Sequence, residues 1–202
     1  WREGNVVIAP DGTLVNILRG EAHPAPGAWF ELPGAASRIP RFEVAAMMGI
    51  SPDGRTARFD PERGFIHFIG SESKFTIRFD PTSGRYWSIA NKITNLRSGD
   101  DWVHSPHHQR NVIALTSSAD LRDWREHHRL LRYAEGSVVV KEGSRVGFQY
   151  LDWQFDGDDL IAVCRMAWNG LNYHDANIVT FHRVKNFRTL TMAESPPDMF
   201  RR

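Results

Sequence analysis

The run Leu151-Asp152-Trp153-Gln154-Phe155 places apolar residues on one face of an extended segment and Asp152 and Gln154 on the other. A carboxylate between two large apolar side chains is costly unless it is solvated or paired. Asp175 lies in Tyr173-His174-Asp175-Ala176-Asn177, directly before the apolar run that starts at Ile178. Two carboxyl groups facing one sugar are what most glycoside cleavage requires. A separation of about 5 Å serves retention and roughly 6.5–9.5 Å serves inversion. Asp152 and Asp175 are therefore the first candidate acid and base or nucleophile. The alternatives are a carboxylate bonded to backbone or an arginine for Asp152, and a turn cap for Asp175. Glu43, at the start of Val44 to Met48, is a third candidate acid, or else an exposed strand-end glutamate.

A second chemistry uses bases rather than carboxylates. His174, with Tyr173 and Arg165, could abstract a proton beside a carboxylate neutralised by the guanidinium, the β-elimination of a lyase. Arg110 precedes an apolar run and could hold a carboxylate or sugar hydroxyls through its planar fork. Arg38, Tyr150, Asn177 and Trp102 complete the candidate substrate-binding set, with Arg41 and Arg165 as further cations. Trp102 and Trp168 are candidates for stacking on sugar rings. The nine histidines include His104, His107 and His108 in one segment and the pair His127 and His128. None has the spacing of a zinc motif, so no metal and no cofactor are expected.

These side chains need strands to hold them, and the punctuation supplies hairpins. Pro10-Asp11-Gly12, Pro52-Asp53-Gly54 and Asp156-Gly157-Asp158 are tight-turn sequences next to short apolar runs. Arg58-Phe59-Asp60-Pro61-Glu62-Arg63-Gly64 recurs as Arg78-Phe79-Asp80-Pro81-Thr82-Ser83-Gly84, twenty residues later. Repeated hairpins imply stacked or radial β architecture, because each unit needs neighbours to bury its face. Two similar turns arising by chance in one antiparallel sheet are the plainer alternative. Ala119 to Leu131 is the best helical candidate, but its start reads better as a turn. Segments 20–40 and 92–109 read as long loops, and 192–202 as a loose tail.

Composition bounds the class. The 202 residues carry 41% hydrophobic and 24% charged residues, with a net charge of +1, as in an ordinary globular protein. The charge balance gives no footprint for nucleic acid, and no apolar run approaches the ~20 residues of a membrane helix. Cys164 is the only cysteine and reads as a small buried hydrophobe. The chain starts at Trp1, which suggests part of a longer gene product, secreted or periplasmic if that product carries a signal peptide.

The stretch Arg110 to Trp124 runs a strand of small and β-branched residues into Ser118-x-Asp120-Leu121-x-x-Trp124. It resembles the S-x-D-L-x-x-W turn in blades of five-bladed arabinanase and invertase-type enzymes. It also resembles the Asp-box of sialidases (the BNR repeat), one residue short and without its glycine. Gly147 to Val163, His174-Asp175-Ala176-Asn177 and Phe181-His182-Arg183-Val184 look sialidase-like as well. The likeness spans roughly residues 43 to 190. Ser37-Arg38-Ile39-Pro40 is similar to the sialidase motif whose arginine binds the substrate carboxylate, without the usual aromatic before it. The resemblance implies an all-β fold: a propeller of five or six four-stranded antiparallel blades in the full protein, of which this chain covers part. It implies a sialidase-like glycoside hydrolase acting on an oligo- or polysaccharide. The family motif is structural, so it speaks to fold more than chemistry. The family's three arginines, nucleophilic tyrosine with glutamate, and acid cannot all be placed. A polysaccharide lyase acting on a uronate and a non-catalytic glycan-binding propeller stand as alternatives.

Overall fold

The computed structural model describes residues 1–21, 42–95, 105–139 and 143–200. They form three antiparallel sheets in which consecutive strands are neighbours, with one exception. Sheet I contains β1 (Gly4–Ile8), β2 (Leu14–Leu18), β3 (Val44–Ile50), β4 (Ala57–Phe59) and β5 (Phe65–His67), where β5 pairs with β3 rather than β4. Sheet II runs β6 (Ile77–Asp80), β7 (Arg85–Asn91), β8 (Val112–Ser118) and β9 (Trp124–Arg132). Sheet III runs β10 (Gly147–Asp156), β11 (Asp159–Ala167) and β12 (Ile178–Val184). Helix among the described residues is limited to single 3-10 turns at Pro106–His108, Phe187–Thr189 and Met192–Glu194. None is long and apolar enough to cross a membrane.

The turn sequences act as their chemistry dictates. Gly12, Gly54 and Gly157 take positive φ, the conformation in which a side chain is disfavoured. Asp11 Oδ1 accepts the Thr13 amide at 3.0 Å, and Asp53 Oδ1 accepts the Arg55 amide at 3.1 Å.

The two copies of the repeat part company. Gly64 and Gly84 each donate an amide to the carbonyl of Asp60 or Asp80, at 2.6 and 2.9 Å. In the second copy the turn joins β6 to β7, with Asp80 opposite Arg85. In the first, β4 and β5 do not pair with each other. Both pair with β3, Met48 opposite Phe59 and Ala46 opposite Phe65. They are two halves of one edge strand with residues 60–64 looped out between them, so the same heptapeptide makes a hairpin in one place and an interruption in the other.

Two cores lie between the sheets. Val15, Ile17, Ala45, Met47 and Ile66 of sheet I pack with Ile77, Tyr86, Ala90 and Trp124 of sheet II. The other face of sheet II, with Trp87, Ile89, Ile113 and Leu115, packs on Phe148, Trp153, Leu160, Ala162 and Cys164 of sheet III. Adjacent residues Tyr86 and Trp87 thus serve different cores, as strand alternation requires. Sheet II is covered on both faces. The outer face of sheet III leaves Val163, Val179 and Phe181 47, 70 and 64% exposed, and the outer face of sheet I exposes Val6 and Ile8.

Ser118 to Trp124 folds as its motif implies. Asp120 Oδ1 accepts the amides of Arg122 and Asp123, both at 2.8 Å, and Ser118 Oγ accepts the Asp120 amide. Leu121 takes φ 66°, a backbone conformation that disfavours a side chain, and its fully buried side chain offsets that cost. Trp124 is buried and donates Nε1 to the Leu121 carbonyl. The helix considered for 119–131 is instead this turn followed by β9. The tail also differs from the loose segment expected. Asp198 is buried and accepts the amides of Ala134 and Glu135, and Arg132 donates to the Pro196 carbonyl, so the chain is pinned along β9 as far as Phe200.

Candidate functional site

Strand ends from all three sheets meet at a cavity of about 220 Å³. Its wall contains Arg2, Arg19 and Glu21 from sheet I and its flanks, and His107, His108 and Arg110 from the segment before β8. Tyr150 of β10 and Tyr173 and His174 of the β11–β12 loop complete it. The volume falls below the ~300–1,000 Å³ of drug-sized ligand pockets.

Arg110 is the least compensated charge here. It is 3% exposed. Its Nε donates to the His107 carbonyl at 2.9 Å, while its Nη1 is buried without a hydrogen-bond partner among the described residues. No carboxylate among those residues forms an ion pair with it. Burial, with Arg19 nearby, pushes the guanidinium down to about 10. Arg19 is just as buried but carries its own counter-ions, Glu3 at 3.1 Å and Glu21 at 2.8 Å, and Arg2 reaches Glu21 at 3.1 Å. Among the described residues, Arg2 and Arg19 thus have carboxylate partners and Arg110 has none.

The opposite wall is held by backbone reading. Gly147 lies beneath Tyr173, where an added Cβ would come within 2.3 Å of the Tyr173 carbonyl oxygen. Gln149, fully buried, donates Nε2 to the carbonyls of Tyr173 and His174, each at 2.7 Å. Arg165 donates to the His174 carbonyl at 3.1 Å and stacks over the Tyr150 ring at 5.3 Å. Asn172 Oδ1 accepts the amides of His174 and Asp175. His174 Nδ1 lies 3.6 Å from Asp175 Oδ1, so a carboxylate stands beside a potential base.

The sequence candidates divide accordingly. Arg110, Tyr150 and His174 come together at the cavity. Asp175 is attached to it through His174 but does not line it. Asp152 is elsewhere: its carboxylate accepts Thr76 Oγ1 at 3.2 Å and pairs with Arg78 at 3.4 Å, and its side chain is 66% exposed. Asp152 and Asp175 share no partner among the described residues. Glu43 is neither exposed nor at the cavity. It is buried between sheets I and II, accepting the amides of Gly70 and Ile93 and pairing with Lys92 at 3.3 Å. Burial opposes its charge, but a hydrogen bond from His67, the charge of Lys92 and the Ile93 amide hold its carboxyl below the ordinary range. Asn177 clasps Trp168 through both backbone groups at 2.9 Å, closing the loop that carries Tyr173 and His174. Arg38, Arg41, Trp102 and His104 lie outside the described residues.

Sequence reasoning missed Gln149, Arg19 and Glu21. Gln149 carries one usable signal, a polar residue in an apolar run beside Gly147; Arg19 precedes, and Glu21 lies within, a segment read only as a loop. No protein-family model matches this chain, and no curated protein matches it.

Proposed function

We propose that the three sheets are consecutive blades of a β-propeller and that the chain is a carbohydrate-active enzyme binding an acidic sugar. Sheet II is covered on both faces, while the outer faces of sheets I and III carry exposed apolar residues, Val6 and Ile8 on one and Val163, Val179 and Phe181 on the other. A stack that ends on apolar faces needs further layers or closure, and blade-like meanders in sequence order fit a ring. The S-x-D-L-x-x-W turn, folded with its own hydrogen bonds, supports the same reading.

The observation that carries the function is Arg110: a buried guanidinium that has, among the described residues, no carboxylate partner and an unbonded Nη1 asks for an anion. A uronate carboxylate suits it, because two planar groups bond in parallel. The same cavity collects Tyr150, Tyr173 and His174 rather than two carboxylates, which favours β-elimination over the double-carboxylate hydrolysis. In that reaction Arg110 stabilises the carboxylate as charge moves onto it. His174, beside Asp175, takes the proton from C5. The C4–O bond breaks as the C4–C5 double bond forms, and a tyrosine hydroxyl returns a proton to the leaving oxygen. A sialidase-like hydrolase is the second reading, favoured by the three arginines, two tyrosines and Glu21 around one cavity.

Galacturonate and galactose, titrated calorimetrically, test the binding. The uronate should bind, and Arg110→Gln should weaken it about 10- to 150-fold, the equivalent of ~1.5–3 kcal/mol for a charged hydrogen bond. Equal binding of both sugars would refute the assignment. Ultraviolet absorbance of an unsaturated product from polygalacturonate separates elimination from hydrolysis.

A further inference from the structure

The strand β10 breaks its own alternation at the cavity. Gln149 pairs with Arg165 and the next pair is Asp152 with Val163, so Tyr150 and Leu151 together oppose Cys164. This is a β-bulge, with two residues facing one. It shifts the phase of the strand: Phe148 and then Leu151 and Trp153 enter the core between sheets II and III. Without the shift, Tyr150 would follow Phe148 into that core. Tyr150 instead has φ 47° in the middle of a strand, a left-handed conformation that a bulky aromatic residue rarely adopts and a glycine adopts freely. The residue is absent from both cores. Its ring faces the cavity, with Arg165 stacked on it at 5.3 Å and the His174 ring meeting it edge-on at 6.4 Å.

A strained side chain that adds nothing to the core and faces a cavity points to a ligand. We infer that Tyr150 is a specificity-determining contact for the bound sugar, held at the cavity by the bulge at the expense of backbone strain. This rests on the cavity being the sugar site. Arg110 supplies recognition of the acid group, and Tyr150 supplies the neighbouring wall, where the ring meets the sugar's carbon face and the hydroxyl bonds a sugar hydroxyl.

The experiment measures stability and binding on the same variants of the 202-residue chain. Tyr150→Gly relieves the strain and removes the ring, Tyr150→Phe keeps the ring and removes the hydroxyl, and Leu151→Ala is the core control. The melting temperature of Tyr150→Gly should stay within about 2 °C of wild type or rise, a shift that corresponds to well under the loss of a core side chain. Leu151→Ala should fall by several degrees. Galacturonate affinity should fall at least tenfold in Tyr150→Gly and less in Tyr150→Phe. A fall of more than about 2 °C for Tyr150→Gly would make the ring structural and overturn the inference. So would undiminished galacturonate binding by that variant. If wild-type protein does not bind galacturonate, the functional reading fails on its own, and the melting temperatures still decide whether the bulge holds Tyr150 against its preference.

Discussion

Changing Asp80 to Asn should cost far more than the same change at Asp60, although both are the aspartate of one repeated heptapeptide. Asp80 is 2% exposed and receives Arg188 in a two-bond fork, Nε on Oδ2 at 2.7 Å and Nη2 on Oδ1 at 3.0 Å. Ser83 adds its amide and hydroxyl. Arg188 follows β12, so the pair ties the end of sheet III to a turn of sheet II across 108 residues of chain. The Arg188 bonds, with those from Ser83, overcome burial and lower the Asp80 carboxyl from 3.8 to about 2. A depression of roughly two units corresponds to ~2.5 kcal/mol of native stability. Because the folded value is the lower one, that stability is present above pH 4 and disappears as pH falls toward 2. Asp60 is exposed, and its carboxylate accepts the Glu62 amide at 2.9 Å. Urea unfolding at pH 7 should show Asp80→Asn losing about 2–3 kcal/mol and Asp60→Asn about 0.5 kcal/mol or less. Repeated at descending pH, the gap between wild type and Asp80→Asn should narrow below pH 4. Equal losses at the two sites, or a gap that does not change with pH, would refute the reasoning.

The remaining predictions concern the motif, the inter-sheet clamp and the outer face. Asp120→Ala leaves two turn amides to water and should cost ~1 kcal/mol in denaturant titration without altering galacturonate affinity. Glu43→Ala strands the amides of Gly70 and Ile93 with Lys92 and should cost ~3 kcal/mol. In wild type the lowered Glu43 pKa means its contribution is held above the ordinary carboxylate range and lost as acid is added, which a pH series of melting temperatures would detect as a flatter acid limb in Glu43→Gln. Asp152→Asn should leave galacturonate binding within twofold of wild type, because its carboxylate faces Thr76 and Arg78; a tenfold loss would place it in the site after all. Val179→Thr with Phe181→Ser should raise the concentration at which light scattering sets in, with the melting temperature unchanged within about 2 °C.

The all-β class, the antiparallel meanders and the turn from Ser118 to Trp124 were legible because their causes are local. Aspartates cap their own turns, glycines take positive φ, and β-branched residues alternate across a pleat. What the heptapeptide repeat does was not legible. Asp60-Pro61 and Asp80-Pro81 specify the same bend and the same amide bond from the glycine. Whether that bend reverses a strand or merely interrupts one depends on β3, which is long enough to pair with β4 and β5 in turn. Strand pairing over such a distance leaves no trace within the seven residues. The tail was misread for a similar reason. Its prolines and polar residues describe a segment without regular structure, and Asp198 is fixed by amides 64 and 63 residues away.

The site was legible residue by residue and not as a constellation. Arg110, Tyr150 and His174 were each nameable from type and neighbours, and the structure gathers them. The carboxylates, Asp152 named from alternation and Asp175 from its place before a strand, did not gather with them, and alternation alone also misplaces the residues beside the bulge. Alternation counted back from Trp153 puts Asp152 on the polar face, which is correct, but it also assigns Tyr150 to that regular face and gives Gln149 to the core. The extra residue at 150–151 resets the phase. Asp152 then faces Thr76 and Arg78 of the neighbouring sheet edge, and Gln149 reaches the Tyr173 and His174 carbonyls. A period-two reading detects a strand well, but it is blind to the single inserted residue that re-aims one. At this cavity the insertion decides which side chains form the wall: it turns Tyr150 inward beside His174, in the lining that also holds Arg110.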